Sequence, residues 1–288
     1  MAGLITRFAP SPTGPLHLGH ALAALTAYDL ARDSGGHMCL RIEDIDRARC
    51  RTGFEEQIYE DLQWLGVRWA DPVLHQSQRR TVYDAALARL EMLGVTYRCT
   101  CKRSDIQAAL SAPQEGAAVS GPDGPVYPGT CRGKGHMAAH AALRLDLRRA
   151  LQLTGPIGFQ ETGPLETGIH RPEADHLIER IGDVVLARRD IGISYHVAVT
   201  VDDASQGITL VTRGADLFSA TPVHVVLQRL LDLPTPLYHH HALVRDAAGR
   251  RLAKRDGARA LSVLRAEGHT PADLRARQIG RASCRERV

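Results

Sequence analysis

His17 and His20 lie three residues apart, just after the run Arg7-Phe-Ala-Pro-Ser-Pro-Thr-Gly-Pro-Leu. Far downstream stands a short basic run, Arg251-Leu252-Ala253-Lys254-Arg255. On a helix a three-residue spacing puts two side chains on one face. A helix N-terminus offers unpaired backbone N–H groups and a partial positive charge, which suit a phosphate. Gly14 and Gly19 add no bulk, so a nucleotide can approach the backbone. With Lys254 as a second positive charge, the two runs describe a nucleotide clamp. One jaw is a helix start and the other is a lysine brought in from elsewhere. Such a clamp serves ATP-driven activation of a carboxylic acid. Taken alone, the two histidines would be read as capping or surface solvation.

These groups need a scaffold, and the pattern supplies one. Leu4 to Phe8 reads as a buried strand, Gly19 to Arg32 as a helix stopped by Gly35-Gly36, and Met38 to Ile42 as a second strand. Phe54, Ile58, Leu62 and Leu65 recur at helical spacing before Gly66, and Arg79 to Leu93 forms another helix before Gly94. Strands alternating with helices predict an α/β fold with a parallel sheet. The stretch 111–135 is rich in Gly, Pro and Ser and reads as an insertion. Regular structure returns at Val184 to Leu186, Tyr195 to Val201 and Ile208 to Thr212, with Asp202 to Gly207 expected as a turn. Thr221-Pro222 starts a helix that turns Val223, Val226, Leu227 and Leu230 inward. His239-His-His241 reads as loop structure, at most near the nucleotide.

The chain has 288 residues, 44% of them hydrophobic, enough for one large or two modest domains. Its apolar runs are too short for a membrane span, and the start lacks the pattern of a signal peptide. The cysteines do not form a secreted disulfide framework, so a cytoplasmic location is expected. Residues 278–288 have no period and read as the translation of a sequencing-library adapter. They are expected to be an artefact, which leaves the natural sequence past Arg277 open. Without them the formal net charge of +4 falls by two, so RNA contact would rest on local patches. Lys102, Arg103, Arg132 and Lys134 either touch phosphate or form a solvated rim.

The whole first run resembles the first signature of class I aminoacyl-tRNA synthetases, and 251–255 resembles the second. Leu40-Arg-Ile-Glu-Asp-Ile-Asp46, Val199-Thr-Val-Asp-Asp203 and Val211-Thr-Arg-Gly-Ala-Asp216 are similar to the glutamyl-specific branch. The resemblance covers nearly all of 4–265. It implies a Rossmann-like parallel sheet with an inserted zinc-containing subdomain and a short C-terminal helical segment. The expected catalytic domain is 1–277. Its nucleotide-binding halves are about 1–97 and 170–245, the insertion about 98–169, and the second-signature loop with its helical segment 246–277. Catalysis is assigned to His17, His20 and Lys254, and ATP binding to the same three with Gly19, with Mg²⁺ on the phosphates. The family carries lysine where Arg251 stands and serine where Ala253 stands, so a slower activation step is expected.

Glutamate presents two carboxylates and an ammonium, so its pocket needs separated cations and an anion. Arg7 and Arg213 are the candidate carboxylate partners and Glu43 the ammonium partner. By resemblance, Arg7, Phe8, Ala9, Pro10, Ser11, Glu43, Tyr195 and Arg213 match the family's glutamate-binding positions. Asp44 and Asp46 are read as structural. Cys99 and Cys101, with Cys131 beyond a Gly/Pro loop, read either as a tetrahedral zinc site or as three reduced cysteines in a small core. The resemblance implies Tyr127 as the fourth ligand, and His136 is the conventional rival. The zinc is expected to be structural.

His17-Leu-Gly-His-Ala-Leu-Ala-Ala, Arg41-Ile-Glu-Asp-Ile-Asp46 and the Cys-x-Cys with Tyr127-Pro-Gly-Thr-Cys131 resemble the short branch of the family, which lacks the anticodon-reading region. That resemblance implies tRNA-independent activation of glutamate and its transfer to queuosine of tRNA(Asp), by a monomer. Three rivals stand beside it: a truncated glutamyl-tRNA synthetase charging tRNA(Glu), a zinc-containing RNA-binding paralogue without chemistry, and a glutamyl-adenylate donor to a small acceptor.

Overall fold

The computed structural model describes residues 3–110, 120–135, 138, 141–188, 192–244 and 259–276. The assignments on His136, Arg251, Ala253, Lys254 and 278–288 lie outside these residues.

The first half alternates as expected: β1 (Ile5–Phe8), α1 (Leu18–Asp33), β2 (His37–Ile42), α2 (Thr52–Trp64), β3 (Ala70–His75) and α3 (Arg80–Met92). The three strands are parallel in the order β1-β2-β3. The helices stop at glycines with left-handed backbone, Gly35 (φ 74°), Gly66 (φ 72°) and Gly94 (φ 67°), where a Cβ would strain the chain.

The chain then builds β4 (Thr96–Cys99), α4 (Arg103–Leu110), the hairpin β5 (Ser120–Gly121) and β6 (Gly124–Pro125), β7 (Ala142–Leu145) and α5 (Leu147–Thr154). Next come β8 (Phe159–Glu161), β9 (Gly168–His170), α6 (Ala174–Arg180), β10 (Val185–Arg188) and β11 (Gly192–Ile193). Strands β4, β7, β10 and β11 form a separate antiparallel sheet. The last part comprises α7 (Tyr195–Ser205), β12 (Leu210–Gly214), α8 (Thr221–Leu230), β13 (Leu237–His241) and α9 (Leu261–Ala266).

Strands β12, β13 and β8 are parallel, and β9 closes that edge antiparallel. The two halves meet where β12 lies against β1. There Thr209 N–H donates to Ile5 O at 2.9 Å, and Thr209 Oγ1 accepts from Ile5 N–H at 2.8 Å. Strands therefore run outward from this seam in both directions, β1 to β3 one way and β12 to β8 the other. In such a sheet a crevice opens at the carboxyl ends of the two central strands.

Two expectations are corrected. Asp202 to Gly207 is not a turn, because α7 continues to Ser205 and takes both aspartates inside. Asp202 is buried against Arg79, Gln76 and Tyr83, and Asp203 against Arg7 and Arg41. Their charges are met by tertiary partners, so the helix need not end to solvate them. His239 to His241 is not a loop but the end of β13, paired with Thr212 to Gly214.

Two apolar cores flank the sheet. One joins α1, α2 and β2 with Leu261, Leu264 and Leu274, so the C-terminal segment docks on the first half. The other joins α3, α5, α7 and α8. No described helix is long and apolar enough to cross a membrane.

Candidate active site and candidate metal centre

A cavity of about 580 Å³ opens at the carboxyl ends of β1 and β12. The β1 end contributes Arg7, Phe8, Ala9, Pro10 and Ser11, the start of α1 contributes His17, Gly19 and His20, and Glu43 enters from beyond β2. Tyr195 enters from the first turn of α7, Arg213 from β12 and His241 from β13. The lining thus gathers every described residue assigned to glutamate or ATP. Lys254 lies outside the described residues, but the flanks of its segment are placed. Val244 lines the cavity, and Ala260 bridges to His17.

Arg7 is fixed by β1 in the sheet interior. Its Nε donates to Asp203 Oδ1 at 2.9 Å and its Nη1 to Thr212 O at 2.7 Å. Arg41, fully buried in β2, donates to the same Asp203 oxygen at 2.7 Å and faces Glu43 Oε1 at 3.5 Å. Burial alone would raise the pKa of Asp203, but Arg7 and Arg41 outweigh it and hold the carboxyl below its ordinary value. Glu43 ends up raised, because burial outweighs the same two arginines. A raised carboxyl at a cavity wall gains from an incoming ammonium, which restores the charged form.

Arg213 is held differently. Its Nε donates to His240 Nε2 at 2.9 Å, its Nη1 to His224 Nδ1 at 2.9 Å and its Nη2 to Thr221 Oγ1 at 2.6 Å. Its charge also lies 5.4 Å from the centre of the Tyr238 ring. These hydrogen-bond partners are neutral, unlike the carboxylates that serve Arg7 and Arg41. Burial and the Arg213 charge hold His240 down to about 4, and the same two causes hold His224 well below the ordinary imidazole range. Among the described residues, then, no carboxylate is hydrogen-bonded to this guanidinium.

His17 and His20 combine capping with a place on the cavity wall. His17 is the N-cap of α1, and its Nδ1 accepts from Gly19 N–H at 3.1 Å. His20 Nδ1 accepts from His17 N–H at 3.1 Å, closing a reciprocal box. Because both Nδ1 atoms accept, the neutral rings carry their protons on Nε2. A Cβ at Gly19 would stand 3.0 Å from His17 Cε1, so the small residue lets the ring fold back.

Asp44 and Asp46 are structural. Asp44 takes the Ser77 N–H at 2.7 Å and the Ser77 hydroxyl at 2.5 Å, and Asp46 pairs with Arg49. Of the four basic residues in the insert, Arg132 is tied to Asp183 at 2.6 Å.

Cys99, Cys101 and Cys131 bring three sulfurs within 4.8 Å of one another, a cluster that can hold a metal ion. The Tyr127 hydroxyl lies 3.3 Å from the Cys99 sulfur and 3.4 Å from that of Cys101. Such separations suit ligands sharing a tetrahedral zinc, whose bonds run at roughly 2.0 to 2.3 Å. Cys131 N–H donates to the Tyr127 oxygen at 2.9 Å, and the Arg144 guanidinium stands 3.8 Å from the centre of the Tyr127 ring.

Arg41, Asp203, Thr221 and His224 were not foreseen as part of the site, and His240 and His241 only as a loop near the nucleotide. The signal was a polar residue inside an apolar run, as in Met38-Cys-Leu-Arg41-Ile and Val223-His224-Val-Val226.

A family model described as tRNA synthetases class I (E and Q), catalytic domain, matches residues 3–281. The chain is 60% identical over 280 residues to the glutamyl-Q tRNA(Asp) synthetase of Rhodobacter capsulatus, covering 96% of this chain and 100% of that one. It is 42% identical to the protein of that name from Nocardia farcinica, over 92% of this chain and 80% of the relative. A crystal structure of glutamate-tRNA synthetase from Elizabethkingia anophelis aligns with a TM-score of 0.70 at 27% identity. That alignment covers 88% of this chain and 53% of the other, so this chain spans about half of that enzyme. Methionyl-tRNA synthetase of Mycobacterium tuberculosis, bound by methionyl-adenylate, aligns with a TM-score of 0.57 at 10% identity over 96% of this chain and 64% of that one, a likeness of fold alone.

Proposed function

From a chain that belongs to the class I tRNA synthetases for glutamate and glutamine, and within them to the glutamyl-Q tRNA(Asp) synthetases, we propose a two-step glutamylation of queuosine. The enzyme is a ligase with the class I catalytic fold, and enzymes of this class bind ATP.

In the first step a glutamate carboxylate oxygen attacks the α-phosphorus of ATP. Pyrophosphate leaves and glutamyl-adenylate forms. Arg7 and Arg213 hold the carboxylates, and Glu43 holds the ammonium. The Nε2–H groups of His17 and His20 donate to the phosphates at the start of α1, with Lys254 supplying positive charge. Catalysis here is positioning plus electrostatics, and Mg²⁺ bound with ATP would share the phosphate charge. No tRNA is needed for this step. In the second step a hydroxyl of the queuosine cyclopentenediol in tRNA(Asp) attacks the activated carbonyl. AMP leaves, and the hydroxyl proton passes to solvent.

The observation that carries this reading is the electrostatic asymmetry of one cavity. A guanidinium that is bonded to neutral groups among the described residues lines the same cavity as a carboxyl that burial has raised, beside a helix start suited to phosphate. The same residues suit an α-amino dicarboxylic acid next to ATP. Cys99, Cys101, Cys131 and Tyr127 would hold one zinc, which cross-links the insert and takes no part in the chemistry.

The test offers labelled glutamate and ATP to the chain with tRNA(Asp) bearing queuosine, tRNA(Asp) lacking it, or tRNA(Glu). Label only on the queuosine-bearing RNA is expected. Label on tRNA(Glu) would overturn the branch, and no glutamate-dependent ATP–pyrophosphate exchange would overturn the chemistry.

A further inference from the structure

The donors around Arg213 have a direction. A guanidinium only donates, so His224 Nδ1 and His240 Nε2, each 2.9 Å from it, must accept. The proton of each ring therefore sits on its other nitrogen. His240 Nδ1–H donates to Glu161 Oε2 at 2.5 Å, and Glu161 also takes the backbone N–H groups of His240 and Gly163. His224 Nε2–H donates to His196 Nδ1 at 3.0 Å. His196 must then carry its proton on Nε2, which lies 3.1 Å from both carboxylate oxygens of Asp123. One set of protonation states satisfies every bond in both chains.

The two chains end differently. Glu161 is buried within the same sheet as Arg213. Asp123 belongs to the turn between β5 and β6, in the segment inserted between β4 and β7, and its side chain is half exposed. That hairpin is firmly seated. A Cβ at Gly121 would stand 2.9 Å from Arg180 O, and one at Gly182 would stand 2.6 Å from Val126 Cγ1. His196 and His224 are both buried, and they carry the connection from the hairpin to the cavity wall. Burial would raise the Asp123 carboxyl, but contact with His196 outweighs it and holds the group below its ordinary value.

We propose that His224, His196 and Asp123 form a positioning relay, which sets the Arg213 guanidinium for the substrate carboxylate and ties the glutamate pocket to the inserted β5–β6 hairpin. None of the three touches substrate. They act through Arg213, so the relay rests on the glutamate-pocket reading given above. Its signature is selective: glutamate affinity depends on a hairpin residue outside the cavity, and ATP affinity does not.

The experiment measures KM for glutamate and for ATP in ATP–pyrophosphate exchange, with melting temperature and metal content as controls. Arg213→Ala, Asp123→Ala, His224→Ala, His224→Asn and the double variant His224→Asn/Asp123→Ala are compared. Loss of a hydrogen bond to a charged group predicts a rise in glutamate KM of roughly tenfold to a hundredfold for His224→Ala. Asp123→Ala, two links away, raises it about three- to tenfold. The asparagine oxygen stands near the lost Nδ1, so His224→Asn recovers most of the loss but breaks the link to His196. Asp123→Ala then adds nothing in the double variant.

If Arg213→Ala raises glutamate KM and Asp123→Ala does not, the relay is overturned and the pocket stands. If Arg213→Ala leaves glutamate KM unchanged, the pocket reading falls and takes the relay with it. Equal rises in both KM values with a lower melting temperature would make these residues merely structural. Asp123 lies on a half-exposed turn, so its variant decides the matter even if a buried histidine variant does not fold.

Discussion

Asp203 Oδ1 lies 2.9 Å from Arg7 Nε, joining α7 to β1 across most of the length of the chain. The same oxygen takes Arg41 Nη1 at 2.7 Å. One buried aspartate thus holds two buried guanidinium groups under the floor of the cavity.

Removing that aspartate leaves two buried cations with one partner fewer. Breaking one side of a buried ion pair costs about 3–5 kcal/mol. Asp203→Ala is expected to lower unfolding free energy by about that amount in a denaturant titration, and to raise glutamate KM in the surviving folded protein. A change within about 1 kcal/mol would mean that the two arginines find other partners.

His17 has two separable tasks. Asparagine is a good N-cap but has no donor at the position of Nε2. His17→Asn is expected to leave the melting temperature level or slightly higher. It should lower kcat for ATP–pyrophosphate exchange roughly a hundredfold, as expected for one lost donor to developing phosphate charge. An unchanged kcat would reduce His17 to a cap.

The cysteine cluster predicts one bound zinc per chain by elemental analysis. Cys131→Ser is expected to lose it and to lower the melting temperature by about 5 °C or more, the shift that a few kcal/mol produces in a domain of this size. Tyr127→Phe keeps the three thiols and should bind zinc more weakly, as judged by competition with a chelator. Equal affinity would remove Tyr127 from the ligand set.

Asp61 is buried on α2, and neither carboxylate oxygen has a hydrogen-bond partner among the described residues. Burial raises its carboxyl to about 6, with Arg265 of α9 opposing at 4.0 Å. A folded pKa above the unfolded one adds stability below about pH 4, and that contribution is lost as pH rises through about 6. Asp61→Asn should therefore be more stable than the parent at pH 7, and the difference should shrink as pH falls from 6 to 4. A difference that is constant with pH would sink this account.

Much of the site was legible from type and spacing. A Pro/Gly run before His17 and His20, a glycine after each early helix and polar residues in matching short runs need only local geometry to be read. The alternation of strands and helices likewise implied a parallel sheet, because each element shows its period within a dozen residues. The same local reading missed Asp202, Asp203 and His239 to His241. Their neighbours in sequence suggest a turn and a loop, whereas their partners lie in β1, β2, β8, β12 and at the start of α3.

The sequence by itself determined the helix that starts at His17, the parallel sheet and the three cysteines that cluster. Each follows from backbone propensity or from chemistry within a few residues. Only the tertiary structure decided what balances the charge of each guanidinium. Arg7, Arg41 and Arg213 have the same side chain, and all three are buried. Folding sets the first two against a carboxylate and the third against imidazoles, and in a site shielded from water that choice of partner governs what each can bind.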